Sequence, residues 1–375
     1  MQKTILSFTI GMSLLFTLSA CQPKSEAPEV EAKDSTDQIR QPSVNKTPKP
    51  AIADNSAVDA KTCLALSKSM QKVDNTSKIE AIDALQKTLK ACLPTASNTE
   101  VLNLLKDYQA MYERFLWDDS DINDEEFNND FFEVMSALEQ NEKVPVESLK
   151  KMSPRVRYLI GLIQNDADVR VYNLGEGYYA FSHNLTAMAD IFTPYLRQDQ
   201  KAFIQRMAQD NQDTFWSDAS VTTSFSELIE RTVFWENYIK RYPNGYAIED
   251  AKSLLDLYRY VLFFGSDNTQ WTDDAIHELL EPDYRQNLLK LTKRPNSVLA
   301  KDAQLFLNFL SLTDSERQSK YPAPDTDEEG YEMSEWQIAR YQLNEALQIP
   351  SIWGENADNS RDCLNGVFCQ DESSD

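Results

Sequence analysis

The chain has 375 residues, 41% of them hydrophobic, and its 60 acidic and 37 basic side chains give a formal net charge of −23. A chain of this length can bury a large core. Nucleic acid binding needs a basic surface that displaces counterions, and contact with anionic lipid headgroups needs the same charge. The sequence has no such basic stretch, which excludes nucleic acid as a partner and headgroup binding as the membrane contact.

The first 20 residues have the parts of a secretory signal peptide. Lys3 is the basic start, residues 5–18 are an uncharged apolar run, and small residues lead to a cysteine. The run is short for a transmembrane helix. The end of this segment resembles the lipobox of bacterial lipoproteins, in which a peptidase cuts before a lipidated cysteine: Leu18-Ser19-Ala20-Cys21. An ordinary secretory signal with an incidental cysteine is the alternative interpretation.

The lipobox resemblance implies where the protein resides. It implies export to the cell envelope and a covalent lipid on Cys21, with acyl chains such as palmitate as the only membrane contact. Each buried CH₂ contributes about 0.8 kcal/mol, so two or three chains anchor stably. Gln22 follows the cysteine where an inner-membrane lipoprotein of enteric bacteria has Asp. This implies an outer-membrane anchor that faces the periplasm.

Residues 21–56 follow as a lipidated linker that is rich in Pro, Lys, Glu, Ser and Asn and nearly devoid of large apolar residues. Such a segment cannot bury enough surface to become ordered. We therefore expect a disordered N-terminal tether with an r.m.s. reach of about 30 Å.

Four cysteines remain beyond Cys21, and an even number in an exported chain indicates two disulfides. Three pairings are possible, and we prefer the pairs that are neighbours in sequence. These pairs are Cys63–Cys92 and Cys363–Cys369. A zinc site is not expected, because no CxxC or HxxxH spacing occurs.

From residue 57 to residue 348 the pattern is mostly helical, with apolar residues three and four positions apart. Four positions fit the reciprocal capping box that starts a helix. They are Ser97 with Glu100, Ser224 with Glu227, Thr313 with Glu316, and Ser334 with Gln337. Trp271 and Ile276 fit a hydrophobic staple at the start of a further helix.

One segment favours strands. Residues 169–174 and 178–181 are β-favouring runs on either side of Gly175-Glu176-Gly177, which predicts a hairpin. Because a lone hairpin is marginally stable in water, we expect it to pack against the helices.

Two stretches repeat at a spacing of 52 residues: Pro243-Asn244, Asp250-Ala251 and Leu255 recur as Pro295-Asn296, Asp302-Ala303 and Leu307. We expect the proline to end one helix, the asparagine to cap the next, and the alanine to allow close helix approach. The turn at residues 241–247 resembles the tetratricopeptide-type repeats of outer-membrane assembly lipoproteins, although the usual period is 34. The similarity is weak and implies stacked helix pairs; otherwise the body resembles no characterised family closely.

An acidic stretch between two helical patterns has the spacing of an EF-hand calcium loop. Positions one, three, five, seven and twelve are Asp119, Asp121, Asn123, Glu125 and Asp130. Asp124 replaces the glycine of the sharp turn, and Asp130 replaces the usual glutamate. The alternative is an acidic loop before a helix start, where the helix dipole favours negative charge.

Catalytic residues are hard to select from this sequence. The only histidines are His183, after the predicted hairpin, and His277, on a predicted helix, and we expect both to be surface or capping residues. No GxSxG or phosphate-binding glycine loop occurs. Glu176, at the hairpin tip, is the carboxylate to test first in a glycosidase mechanism, and a turn role is its alternative.

Basic and aromatic residues alternate along residues 231–242. Phe234, Trp235, Tyr238 and Tyr242 share one side of a helix. We expect this stripe to face the core, and an exposed groove for a partner is the alternative.

Together these patterns predict an all-α fold of stacked antiparallel helix pairs, α-solenoid-like, with one small β-hairpin behind the tether. The predicted segments are a signal peptide at 1–20, a lipidated linker at 21–56, an N-terminal helical subdomain at 57–165, a hairpin and helical-repeat subdomain at 166–348, and an acidic tail with a small disulfide loop at 349–375.

The predicted function is non-enzymatic, with no cofactor. We expect an interaction or structural module for cell-envelope proteins. A carboxylate-dependent peptidoglycan hydrolase and a calcium-stabilised binding module are the alternatives.

Overall fold

The computed structural model describes residues 60–117, 129–165, 167–175, 178–327, 329–353 and 361–371. Within them the protein is all-α, as the helical periodicity predicts. The α-helices are α1 Ala60–Met70, α2 Ile79–Cys92, α3 Asn98–Leu116, α4 Asn129–Glu139, α5 Val146–Lys151, α6 Pro154–Gln164, α7 Leu185–Phe192, α8 Gln198–Asp210, α9 Phe225–Arg241, α10 Ile248–Phe264, α11 Pro282–Leu291, α12 Val298–Leu310, α13 Asp314–Lys320 and α14 Glu335–Leu347. The predicted signal peptide, Cys21 and the linker lie outside these residues.

Consecutive helices pack on one another as pairs. The pairs are α1 with α2, α7 with α8, α9 with α10, and α11 with α12. Their buried side chains belong to one hydrophobic core cluster that extends from Cys63 to Cys369. None of the described helices is long and apolar enough to cross a bilayer.

The predicted hairpin is confirmed. Strands β1, Val169–Gly175, and β2, Tyr178–His183, are antiparallel, with Val169 opposite His183 and Val171 opposite Phe181. Strand β1 packs on α4 and α6, and β2 packs on α3. Two further ladders, β3–β4 and β5–β6, have two residues per strand, which is too short to leave an alternating pattern in the sequence. Their bounds are Trp216–Ser217, Ser220–Val221, Arg361–Asp362 and Gln370–Asp371.

Three of the four predicted capping boxes form in full. Ser97, Thr313 and Ser334 start α3, α13 and α14 with reciprocal hydrogen bonds. At α9 only the Ser224 side chain caps the helix, where it accepts from the Glu227 amide. The box is incomplete because the Glu227 carboxylate pairs with Arg231 at 2.5 Å.

The prediction that a helix begins after Trp271 is wrong. Residues 270–281 are irregular, and the Asp273 carboxylate accepts from the His277 and Glu278 amides. Arg317 donates to the carbonyls of Ala275 and Ile276 at 2.5 and 2.6 Å. A side chain distant in sequence therefore satisfies backbone groups that a helix would otherwise pair internally.

Equivalent residues of the 52-residue repeat have the same structural roles in both copies, but the asparagines do not cap helices as predicted. Ala251 and Ala303 are fully buried. Asp250 and Asp302 are buried one residue earlier, and each pairs with an arginine at 2.7 Å, Arg361 and Arg259 respectively. Neither asparagine caps a helix, because the residue at the N-cap is Ala247 in α10 and Ser297 in α12.

Both predicted disulfides are present: Cys63 pairs with Cys92, and Cys363 pairs with Cys369. The first joins the start of α1 to the end of α2.

The second closes a loop that belongs to the core. Val367 is fully buried, and its amide donates to Gln109 on α3 at 2.9 Å. The Asn211 side-chain amide, just after α8, donates to the carbonyls of Cys363 and Gly366 at 3.0 and 2.9 Å. The C-terminal loop therefore ties α3 to the end of α8.

Candidate functional site

An open depression of about 490 Å³ lies where α8, α9 and the start of α7 meet. Its lining is polar and includes three carboxylates, but no histidine. The lining residues are Thr186, Gln209, Gln212, Asp213, Ser226, Glu227 and Glu230.

The segment after α8 forms one wall of this acidic depression, and long-range contacts hold it in place. Arg170 on β1 donates to the Gln212 carbonyl at 3.3 Å and pairs with Asp213 at 3.4 Å. The Thr186 amide and hydroxyl donate to the Gln212 side-chain oxygen at 3.2 and 3.1 Å. The hairpin, α7 and the 211–213 segment are thus connected at the wall.

Beneath the depression is a buried ionic cluster. The Asp210 carboxylate pairs with Arg206 at 2.8 Å and lies 3.6 Å from Arg231, and it accepts from the Trp235 indole at 3.3 Å. Burial raises the pKa of Asp210, while the two arginines oppose that shift. The cluster therefore connects α8, which carries Arg206 and Asp210, to α9, which carries Arg231 and Trp235.

The carboxylates at the rim differ in how far they are neutralised. Burial raises the pKa of Glu227, but the hydrogen bond and charge of Arg231 outweigh it and lower that pKa overall, so Glu227 stays ionised. Asp213 pairs with the exposed Arg170. Glu230 makes no ion pair within the described part of the chain. The depression therefore keeps a net negative charge, which attracts a cation.

His183 lies in a second polar cluster, buried behind the hairpin. Its ring stacks on Tyr112 of α3 with centroids 3.7 Å apart and an interplanar angle of 11°. The Tyr112 hydroxyl donates to Asp168 at 3.0 Å, and the Gln86 side-chain amide donates to Tyr108 at 2.9 Å, to Tyr112 at 2.8 Å and to Asp168. Among the described residues, neither ring nitrogen of His183 has a hydrogen-bond partner.

Burial determines the protonation of this cluster. It lowers the pKa of His183 to about 3, so the imidazole is neutral at pH 7. It also raises the pKa of Tyr108 and of Tyr112 well above the ordinary value. The expectation of a surface or capping histidine at position 183 is therefore wrong, because β2 packs on α3 and the next residue, Asn184, is the cap of α7.

His277 has a structural role that its hydrogen bonds define. Arg317 can only donate, so its bond to Nδ1 at 2.9 Å leaves the proton of the neutral ring on Nε2. Nε2 in turn donates to Asp314 at 2.8 Å. His277 therefore connects the irregular 270–281 segment to α13, and it does not lie on a helix.

Several residues selected from the sequence lie outside the described part of the chain. They are Cys21, Asp119, Asp121, Asn123, Glu125 and Glu176. Asp130, the last position of the EF-hand pattern, lies in the first turn of α4, where both its oxygens accept from Lys151 at 2.9 and 2.8 Å.

Within the described ranges, the only group of three or more possible metal ligands is Asp250 with Cys363 and Cys369. Both cysteines are in a disulfide, so they supply no thiolate. This group is therefore unsuited to hold a metal ion.

The aromatic stripe of α9 faces the core, as predicted. Trp235 and Tyr238 are buried, and Phe234 and Tyr242 pack half-buried against them. The acidic depression, by contrast, has no signal in the sequence. Thr186, Asp213 and Glu230 come from three separate elements, and the chain has 60 acidic residues from which to choose.

In comparisons with known proteins, no family model, no curated protein and no solved structure matches the chain.

Proposed function

We propose that the chain is a lipid-anchored protein of the bacterial cell envelope, held at the outer membrane and facing the periplasm. In this proposal its helical body is a non-enzymatic interaction module that binds a cationic segment of another envelope protein. The lipobox resemblance at residues 18–21 supports the anchor. The acidic depression is the single observation that carries the binding role.

The chemistry of the depression favours a basic side chain as the ligand. Its volume of about 490 Å³ lies within the range of pockets that enclose small ligands. Glu230 and the exposed Asp213 offer carboxylate oxygens, which a guanidinium binds with two parallel hydrogen bonds and an ammonium binds as a point charge. The neutral groups around them, Thr186 and Ser226, accept additional hydrogen bonds.

The overall charge also supports a basic partner. A net charge of −23 repels polyanions and steers positively charged segments toward the surface. An attraction of this kind acts on every acidic surface, so a test must separate the depression from the rest of the molecule.

Two charge-reversal variants distinguish binding in the depression from binding to the rest of the acidic surface. Glu230→Lys reverses a charge inside the depression, and Glu345→Lys makes the same change at an exposed position on α14. We expect Glu230→Lys to weaken binding of a short oligolysine peptide about tenfold, or about 1.4 kcal/mol, by calorimetry at low salt. Glu345→Lys is expected to leave the affinity nearly unchanged.

Equal weakening in both variants would show that oligolysine binds the general acidity of the surface, and the depression would lose its proposed role. Circular dichroism of both variants is the control for folding.

A further inference from the structure

We infer that His183 is a proton-sensitive latch that holds the base of the hairpin and the α7 wall of the acidic depression, and that protonation of its imidazole opens both. The regulation of binding that follows from this latch rests on the proposed function. The latch itself does not, since it is a property of the described fold.

The position of His183 is the first reason. It is the last residue of β2 and lies opposite Val169, the first residue of β1. Its ring fills the space between the hairpin and α3, where it stacks on Tyr112 and lies 5.5 Å from Tyr108. Displacement of this ring would therefore remove its contacts with Tyr112 and Tyr108 of α3 at the base of the hairpin.

The second reason is the absence of a hydrogen-bond acceptor for a second proton. Neither nitrogen of His183 has a partner in the part of the chain that the structure describes, and an imidazolium carries two N–H donors. On α3, Tyr108 and Tyr112 present ring faces, which attract a cation weakly compared with its lost hydration. Asp168, which precedes β1, accepts from Tyr112 and from Gln86 of α2, both through the carboxylate oxygen Oδ2.

Further titratable groups lie on elements that pack against the hairpin, and they include Tyr158 of α6 and Glu139 of α4, which accepts from the Tyr179 hydroxyl at 3.2 Å. Tyr158 on α6 bonds to Asp83 at 3.4 Å, and burial together with Asp83 raises its pKa to about 12, so it stays neutral. Among the described residues, none therefore offers a charged His183 a hydrogen-bond partner while the stack with Tyr112 is intact.

A short sequence of contacts connects this ring to the depression. The amide of Asn184 donates to the Asp168 carbonyl at 2.7 Å, its side chain donates to the Ala167 carbonyl at 2.9 Å, and its side-chain oxygen caps α7. Two residues later, Thr186 bonds to Gln212 in the wall. On the opposite strand, Arg170 bonds to the same wall one residue after Val169. Release of His183 thus loosens β1 and the start of α7, which both support the wall.

Acid favours the open state because an exposed imidazole has an ordinary pKa of about 6.5, whereas the buried imidazole resists protonation. With the pKa of buried His183 near 3, linkage gives an opening constant that rises about 30-fold between pH 7.5 and pH 5.0.

Hydrogen exchange read by mass spectrometry measures this opening directly. After correction for the intrinsic pH dependence of exchange, amides of residues 167–175 and 178–186 should exchange about 30-fold faster at pH 5.0 than at pH 7.5. The variant His183→Phe keeps an apolar ring in the stack and should abolish the pH dependence. The variant His277→Gln changes the only other histidine and should behave like the unaltered protein.

The same pH dependence in His183→Phe as in the unaltered protein would overturn the latch. If His183→Phe does not fold, an NMR titration of the two histidine rings in the unaltered protein decides the question. A His183 ring that titrates near 6.5 while the hairpin amides stay protected would also overturn the latch. Protonation together with loss of protection supports it. Oligolysine binding at pH 7.5 does not enter either measurement, so failure of the latch and failure of the proposed binding role are distinguishable.

Discussion

Among single residues, His183 has the clearest consequence for stability. A neutral imidazole without hydrogen-bond partners is costly to bury, and the two tyrosines around it only partly compensate. Because the folded state holds the pKa of this ring below its unfolded value, the unfolded chain binds more protons in acid. The contribution of His183 to stability is therefore complete above about pH 6.5 and is lost as the pH falls toward 3.

Replacement of His183 with phenylalanine tests whether this residue makes the protein less stable as the pH falls. Between pH 7.5 and pH 5.0 we expect the unaltered protein to lose about 2 kcal/mol more unfolding free energy than His183→Phe. At pH 7.5 the variant should be at least as stable, because it removes two buried nitrogens without partners. Urea denaturation at both pH values measures the difference, and equal losses in the two proteins would contradict it.

At the scale of elements, the disulfide loop at the C-terminus has the largest structural role relative to its size. Val367 of this loop is buried and donates its amide to Gln109, and Asn211 donates to the carbonyl of Cys363, so the loop joins elements that are far apart in the chain. The turn that permits this contact needs Gly366, whose φ is +79°. A Cβ at this position would overlap the amide of Gln109.

The variant Gly366→Ala should therefore lower the unfolding free energy by about 1–3 kcal/mol, from backbone strain and the displaced Gln109 side chain. Gly161→Ala is the matched control, because Gly161 lies inside α6 with no atom near the added methyl group. We expect that control to gain up to about 1 kcal/mol from helix propensity. Denaturation curves of the two variants measure both effects, and equal stability of the two variants would mean that the loop does not depend on Gly366.

At the scale of the whole molecule, a single hydrophobic core extends from Cys63 to Cys369 beneath a strongly acidic surface. No described helix is suited to cross a membrane. The proposed membrane attachment depends on the lipid at Cys21 that the lipobox resemblance implies.

Replacement of Cys21 with serine tests that dependence. We expect the unaltered protein to fractionate with membranes and to carry acyl chains by mass spectrometry, and Cys21→Ser to leave the membrane fraction without them. Cys63→Ser is the control, since it removes a cysteine from a disulfide and not from the lipobox. Membrane association of Cys21→Ser equal to that of the unaltered protein would contradict the proposed anchor.

Sequence by itself was sufficient for features that depend on near neighbours. Helical periodicity, the capping boxes at Ser97, Thr313 and Ser334, and the hairpin around Gly175 follow from local spacing and the chemistry of a few adjacent side chains. These interactions act within one helical turn or one hairpin, so the residues involved are close together in the sequence and their pattern can be recognised there.

Tertiary structure alone decided the burial of His183, the irregular segment at 270–281 and the acidic depression. In each case the deciding partner is far away in sequence: Tyr112 for His183, Arg317 for the segment, and Arg170 for the wall at Asp213. Desolvation and long-range pairing depend on which surfaces meet in space. No local residue pattern predicts which surfaces come into contact. The burial of His183, the irregular segment and the depression could therefore be identified only from the packed structure.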